Sequence, residues 1–113
     1  MERNEDKKTK GVSVKLCFRP SSILKKAGRL YYQIIIHRAC YQYNSQYQIY
    51  ETEWDKHTRL VIKDCSSPRG KELRAIRKHT EWDISKLYRI IQRLIDEFDV
   101  VDYNLVIQEF EVQ

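Results

Sequence analysis

The residues of this chain best suited to chemistry are amides, cations and phenols, and they recur at alternate positions. Lys15 and Arg19, then Tyr31, Gln33 and His37, then Gln42, Asn44 and Gln46 each fall on one parity of an alternating stretch. In a strand, alternate side chains share a face. Glutamine and asparagine can present a donor and an acceptor together to an adenine edge, and arginine or lysine can donate to the paired acceptors of a guanine edge. A strand face carrying such groups could read bases in a major groove. Lys25, Lys26, Arg29 and Arg38 fall on loops at the ends of those strands and are the candidates for phosphate contacts, which set register and carry no sequence information. A plainer reading stands beside this one: amides and lysines also solvate a sheet while tyrosines fill space.

Other chemistry finds little support. His37, His57 and His79 are isolated in the sequence, with no metal-ligand cluster around them, so no metal is expected. Cys17, Cys40 and Cys65 are odd in number and lack a C-x-x-C spacing, which is the pattern of three reduced thiols rather than a disulfide framework. Cys17 has Arg19 close by, yet a cysteine without a placed histidine is more often structural. No glycine-rich loop could cradle phosphates. Glu81, Asp83, Asp96 and Glu97 have the character of solvated helical carboxylates rather than an acid and base pair. The expectation is a chain without enzymatic activity, cofactor or small-molecule substrate.

Charge points to the kind of partner. The net charge is +5, and residues 7–50 hold nine Lys or Arg and no acid. Average usage would place roughly six acids in a window of that length. Residues 99–113 reverse the pattern, with four acids and no base. A field of one sign attracts a polyanion and releases its counterions, which makes nucleic acid the leading candidate. The aliphatic runs at 34–36 and 60–62 are far shorter than the span of about 18 residues a membrane crossing needs. Residues 1–10 are polar and are followed by no apolar h-region, so the expected compartment is the cytoplasm.

The elements that must position these groups follow from periodicity. With 113 residues, one domain with one modest core is expected. Residues 12–19 alternate, with Val12, Val14, Leu16 and Phe18 opposite Ser13, Lys15, Cys17 and Arg19. After Pro20-Ser21-Ser22 and a loop, residues 29–37 form a second strand rich in β-branched and aromatic side chains. A turn near Arg38-Ala39-Cys40 leads to a third strand over 41–50, with tyrosines on one side and amides on the other. Residues 51–63, holding Trp54 and Leu60-Val61-Ile62, are expected to wrap the sheet edge. Ser67-Pro68 is a helix start, since serine can cap orphan amides and proline is tolerated at the first helical position.

Leu73, Ile76, Thr80, Ile84, Leu87, Ile91, Leu94 and Phe98 then form a stripe of helical period over about 68–98. Such a helix is about 45 Å long and overhangs a three-stranded sheet, so its far end needs another partner. Val101, Leu105, Val106 and Phe110, with Asp102 or Asn104 as a cap, suggest a short second helix folding back on it. The expected fold is α+β: a three-stranded antiparallel sheet packed on one long C-terminal helix, with a short terminal helix. On the outer side of the long helix Lys71, Lys78, Lys86, Arg89 and Arg93 gather around Trp82. That side is either a phosphate-contacting surface or a solvated face tied by Arg77–Glu81 and Arg93–Glu97 pairs.

Several short runs together carry a resemblance. They are Val14-Lys15-Leu16-Cys17-Phe18-Arg19-Pro20-Ser21, Tyr31-Tyr32-Gln33-Ile34-Ile35, Glu53-Trp54-Asp55, Leu73-Arg74-Ala75-Ile76-Arg77, and Trp82-Asp83-Ile84 followed by Leu87, Arg89, Ile90 and Ile91. In this order they resemble the N-terminal arm-type DNA-binding domain of tyrosine recombinases, the integrases of phages and conjugative transposons. The resemblance implies double-stranded DNA as partner, with a sheet inserted in the major groove of arm sites that flank the crossover site. It further implies a mobile element and DNA integration or recombination as the setting, with other integrase subunits as further partners. In that family a tyrosine nucleophile with arginine, histidine and lysine partners lies in a separate C-terminal domain, so none of the tyrosines here is expected to be the nucleophile. The implied organisation is a flexible polar tail over 1–11, the arm-type domain over 12–98 with its sheet at 12–50, and an acidic helix or linker over 99–113 toward a core-binding domain. The whole protein would then be a site-specific recombinase. From another class, a protein-interaction module within a recombination complex, docking through its sheet edge and Trp82, stays open.

Overall fold

The structure is a computed structural model that describes residues 11–62, 68–99 and 101–112. Strands β1 (Val12–Arg19), β2 (Gly28–Ile36) and β3 (Ala39–Ile49) form an antiparallel sheet in the order β1-β2-β3. A single 3-10 turn (Glu51–Glu53) leads to a two-stranded hairpin of β4 (Trp54–Asp55) and β5 (Leu60–Val61). The long helix α1 (Arg69–Phe98) and the short helix α2 (Tyr103–Val112) complete the chain. The expected α+β architecture is therefore the observed one. Residues 1–10, the proposed capping residue Ser67, and Cys65 lie outside the described residues.

Alternation decides which face of the sheet is buried. Val14 and Leu16 of β1, Leu30, Tyr32, Ile34 and Ile36 of β2, and Ile49 of β3 turn inward. They meet Leu73, Leu87, Ile90, Ile91 and Leu94 of α1 and Val106 of α2. Each large side chain taken fully from water contributes about 1.5–3 kcal/mol before chain entropy is counted, so this layer supplies most of the driving force. One polar bond ties the layers together: Tyr32, buried in the sheet, donates its hydroxyl to Asp83 Oδ2 of α1 at 2.6 Å. Burial and the neighbouring carboxylate raise the Tyr32 phenol above its ordinary value and keep it protonated.

The free end of the long helix is covered as its length requires. Asp102 accepts the amides of Leu105 and Val106 and begins α2. From there α2 packs on α1 and on the outer strand, with Tyr103 stacked on Tyr41 at 4.1 Å between ring centres and Phe110 edge-on to Tyr43. Tyr43 donates to Glu111 at 2.8 Å, and burial together with that carboxylate pushes its phenol up to about 12. Phe98 departs from the sequence expectation. Its stripe position is more than half exposed, because the apolar contacts end with Leu94 and Ile95 while the helix runs one turn further to Asp99, whose positive φ closes it.

The open edge of β1 is closed by groups from elsewhere in the chain. The Val14 amide donates to the Tyr88 hydroxyl at 3.0 Å, and Arg59 donates to the Leu16 carbonyl at 3.4 Å. Unpaired strand-edge groups invite pairing with another chain, and these contacts occupy two of them. Phe18 stacks on Trp54, so the β4–β5 hairpin wraps this side of the sheet as its sequence suggests. Arg69, at the start of α1, pairs with Glu53 at 3.0 Å and donates to the Gln48 carbonyl, fixing the helix start to the end of β3.

Candidate nucleic-acid interface

The sheet face turned away from α1 is assembled by cross-strand register. Lys15, Gln33 and Gln42 form one row across the three strands, and Cys17, Tyr31 and Asn44 form the next. Directly opposed side chains in such rows stand about 4.5–5.5 Å apart. Arg19 spans the rows. Its Nη2 donates to Gln42 Oε1 at 2.8 Å, its Nη1 lies 3.5 Å from Asn44 Oδ1, and its guanidinium carbon sits 4.5 Å from the Tyr31 ring centre. An aromatic face beneath a guanidinium attracts it and limits its rotamers. The amide oxygens are thus turned toward Arg19, which leaves the Gln42 and Asn44 NH2 groups as outward donors. Lys15, Arg19, Gln42 and Asn44 are exposed, and Tyr31 and Gln33 are partly buried.

The electrostatics of this face have one sign. Every strand of the sheet lies within the acid-free window of residues 7–50, so none of the side chains that the three strands contribute to the face is a carboxylate that would repel phosphates. Outer strands of a three-stranded sheet are about 10 Å apart. That width matches a major groove of about 12 Å. Burial, and secondarily the neighbouring Cys17, raise the Tyr31 phenol, so it remains a hydroxyl at neutral pH.

Several expected positions are corrected. His37 is absent from the face: β2 ends at Ile36, and His37 and Arg38 form the two-residue turn to Ala39, with φ of 48° and 78°. Positive φ at both central residues is a type I′ signature, normally written with asparagine and glycine. Here a long-range bond holds it, as the His37 amide donates to the Gly11 carbonyl at 2.8 Å. Arg29 belongs to β2 rather than to a loop, on the polar face beside Arg19, and its Nη1 is committed to the Ser45 carbonyl at 3.0 Å. Gln46 leaves the rows because β3 bulges between its pairings with Tyr31 and Arg29. The bulge is held by Ser45, whose hydroxyl donates to the Leu30 carbonyl at 2.7 Å and accepts the Tyr47 amide. Cys17, on the polar parity, is buried, because Arg59 reaches over it and donates to its Sγ at 2.9 Å.

Arg59 is the member of this surface that the sequence reading missed. It lies in the β4–β5 turn, where Asp55 Oδ1 accepts the amides of His57 and Thr58 and its carbonyl accepts that of Arg59. Those bonds hold the Asp55 carboxyl below its usual range. An Asp followed by two polar residues and threonine is a turn signal, but nothing local shows that the turn is aimed at β1. Lys25 and Lys26 remain exposed in the β1–β2 loop, as expected, next to exposed Ile23 and Leu24. Arg38 is exposed at the hairpin tip.

No family model, curated protein or solved structure matches the chain. Among the described residues, no three His, Cys, Asp or Glu side chains converge as a metal site would require, and no helix is long and apolar enough to cross a membrane.

Proposed function

We propose that the chain is a double-stranded DNA-binding module that lays the polar face of its sheet into a major groove, as the arm-type module of a tyrosine recombinase that integrates or recombines DNA. The observation that carries the reading is the Arg19 cluster: a guanidinium steadied by Tyr31 and joined to two amides, on an open face without acids. Arg19 and Lys15 are the groups for guanine edges, and the NH2 groups of Gln42 and Asn44, whose oxygens accept from Arg19, are donors for base-edge acceptors such as purine N7. Gln33 lies between them in its row. Arg38, Lys25 and Lys26, at opposite ends of β2, bracket the face and set register through phosphates. The chemistry of strand exchange belongs, in this reading, to another domain of the recombinase, and this module needs no cofactor.

The test compares Asn44→Ala and Arg38→Ala on a selected duplex and on random duplexes. Asn44→Ala is expected to relax preference at one base pair by about 1–3 kcal/mol, and Arg38→Ala to weaken all sequences alike. Equal losses from both variants on both kinds of DNA would remove the groove assignment. A second reading, a module that docks other recombinase subunits, is favoured by the exposed pair Ile23 and Leu24 beside Tyr50 at one end of the sheet. Salt-insensitive DNA binding at background level would favour it.

A further inference from the structure

The outer side of α1 carries a second charged surface. Lys71, Arg74, Lys78, Trp82 and Arg89 recur at helical spacing and are all exposed. The buried stripe of α1, from Leu73 through Thr80 and Leu87 to Leu94, lies about half a turn away. Because that stripe faces the sheet, the cationic row points away from the base-facing side of the molecule. Lys71, Arg74 and Arg89 make no ion pair among the described residues, and the Lys78 ammonium rests 5.1 Å from the Trp82 ring centre. The helical pairs expected of a merely solvated surface do occur, Arg77 with Glu81 and Arg93 with Glu97, but the first lies outside the row and the second only at its end. The carboxylates between Lys71 and Arg89 flank the row and are engaged by residues outside it: Glu72 pairs with Arg69, Glu81 with Arg77, and Asp83 accepts from Tyr32.

We infer that this row binds the phosphate backbone of a DNA duplex independently of the sheet, so that one molecule can hold two duplex segments on opposite sides. From residue 71 to residue 89 the helix rises about 27 Å. Duplex DNA presents a charge about every 1.7 Å along its axis, so roughly 16 phosphates lie along that length, of which those on the side turned to the helix are in reach. Trp82 identifies a backbone contact rather than a stacked base. The Lys78 ammonium occupies one face of its ring and His79 approaches edge-on at 5.7 Å between ring centres, so the indole is not an open stacking platform. Its remaining exposed surface, 58% of the residue, can pack on sugar edges between phosphates held by Lys78 and Arg89. The inference does not require the sheet to read bases.

The test is a heteronuclear NMR titration of the full chain with a random-sequence duplex at low salt, taken to an excess of DNA. Amide shifts along residues 71–89 and on the sheet face, with two duplexes bound per chain at saturation, are expected. Substituting Lys71, Arg74, Lys78 and Arg89 together by glutamine should abolish the helix shifts and reduce the stoichiometry to one duplex per chain, while the sheet shifts persist. Sheet shifts alone would overturn the inference and leave the sheet reading intact. Helix shifts alone would uphold the helix contact and overturn the sheet reading, and no shifts at all would overturn both. Poly-glutamate that perturbs the helix row as strongly as DNA does would replace the duplex with an acidic protein partner and overturn the inference. Since the four positions are exposed, unchanged spectra elsewhere in the quadruple variant will certify its fold.

Discussion

Tyr32→Phe isolates the bond that joins the sheet to the helix. Tyr32 is 1% exposed, and its hydroxyl donates to Asp83 Oδ2 at 2.6 Å. Phenylalanine keeps the ring packing and removes a hydrogen bond to a charged acceptor, a class of bond that contributes about 1.5–3 kcal/mol. Asp83 is only partly buried, so water can replace the lost donor, and the cost falls at the lower end, about 1.5 kcal/mol. At about 4 °C per kcal/mol for a domain of this size, the melting temperature drops by roughly 6 °C. The same bond governs alkaline behaviour. The folded phenol is raised above its ordinary value of 10.0, so its contribution is complete below that pH and declines as pH rises beyond it. Thermal unfolding followed by circular dichroism should therefore show wild type losing stability more steeply than Tyr32→Phe between about pH 9.5 and 11. Tyr43, itself pushed up to about 12, keeps the variant from becoming flat. Melting temperatures within about 1 °C of each other at neutral pH, with parallel alkaline declines, would refute the role assigned to the bond.

Three further perturbations probe the frame and the interface. Arg38→Gly relieves a positive φ of 78° and should raise stability in urea by up to about 1 kcal/mol while weakening binding to every duplex alike; a variant that is less stable than wild type would contradict the turn assignment. Gly28→Ala would place a methyl carbon 2.3 Å from the Arg19 carbonyl oxygen and 2.8 Å from the Phe18 ring. Backbone cannot yield as a flexible side chain can, so a loss above about 2 kcal/mol is expected by denaturant titration, and a near-neutral result would show the β1–β2 junction to be looser than described. Arg69→Ala strands Glu53, whose side chain is only 15% exposed, and should cost about 1 kcal/mol, part of it recovered by adding Glu53→Gln; no recovery in the double variant would show the pairing to be incidental.

The parts of the fold legible in the sequence are those set by local pattern. The alternation of residues 12–19 returns as β1 with the same limits, because its apolar residues keep period two toward the core, and only Cys17, covered by Arg59, is buried on the other parity. The long helix is equally plain, since no glycine or proline interrupts residues 71–98 and the apolar stripe fits one side. Features set by distant partners were hidden. His37 and Arg38 carry none of the residues that announce a I′ turn, and the Gly11 carbonyl that helps hold it lies 26 residues away in sequence. The bulge at Ser45 depends on the Leu30 carbonyl, and Arg59 on the edge of β1, neither of which leaves a local mark. The candidate site shows the same division. Parity identified which side chains share the open face, but register alone joins Arg19 to Gln42 and Asn44, and register carries Gln46 away from them.

The most direct measurement is enrichment of a DNA motif from a random duplex library by the chain itself, at two salt concentrations. A sheet that reads bases between phosphate contacts should recover a short motif, with affinity that falls steeply as salt rises and with Asn44→Ala degrading one position of it. Uniform recovery of all sequences, or no salt-sensitive recovery at all, would contradict the base-reading face.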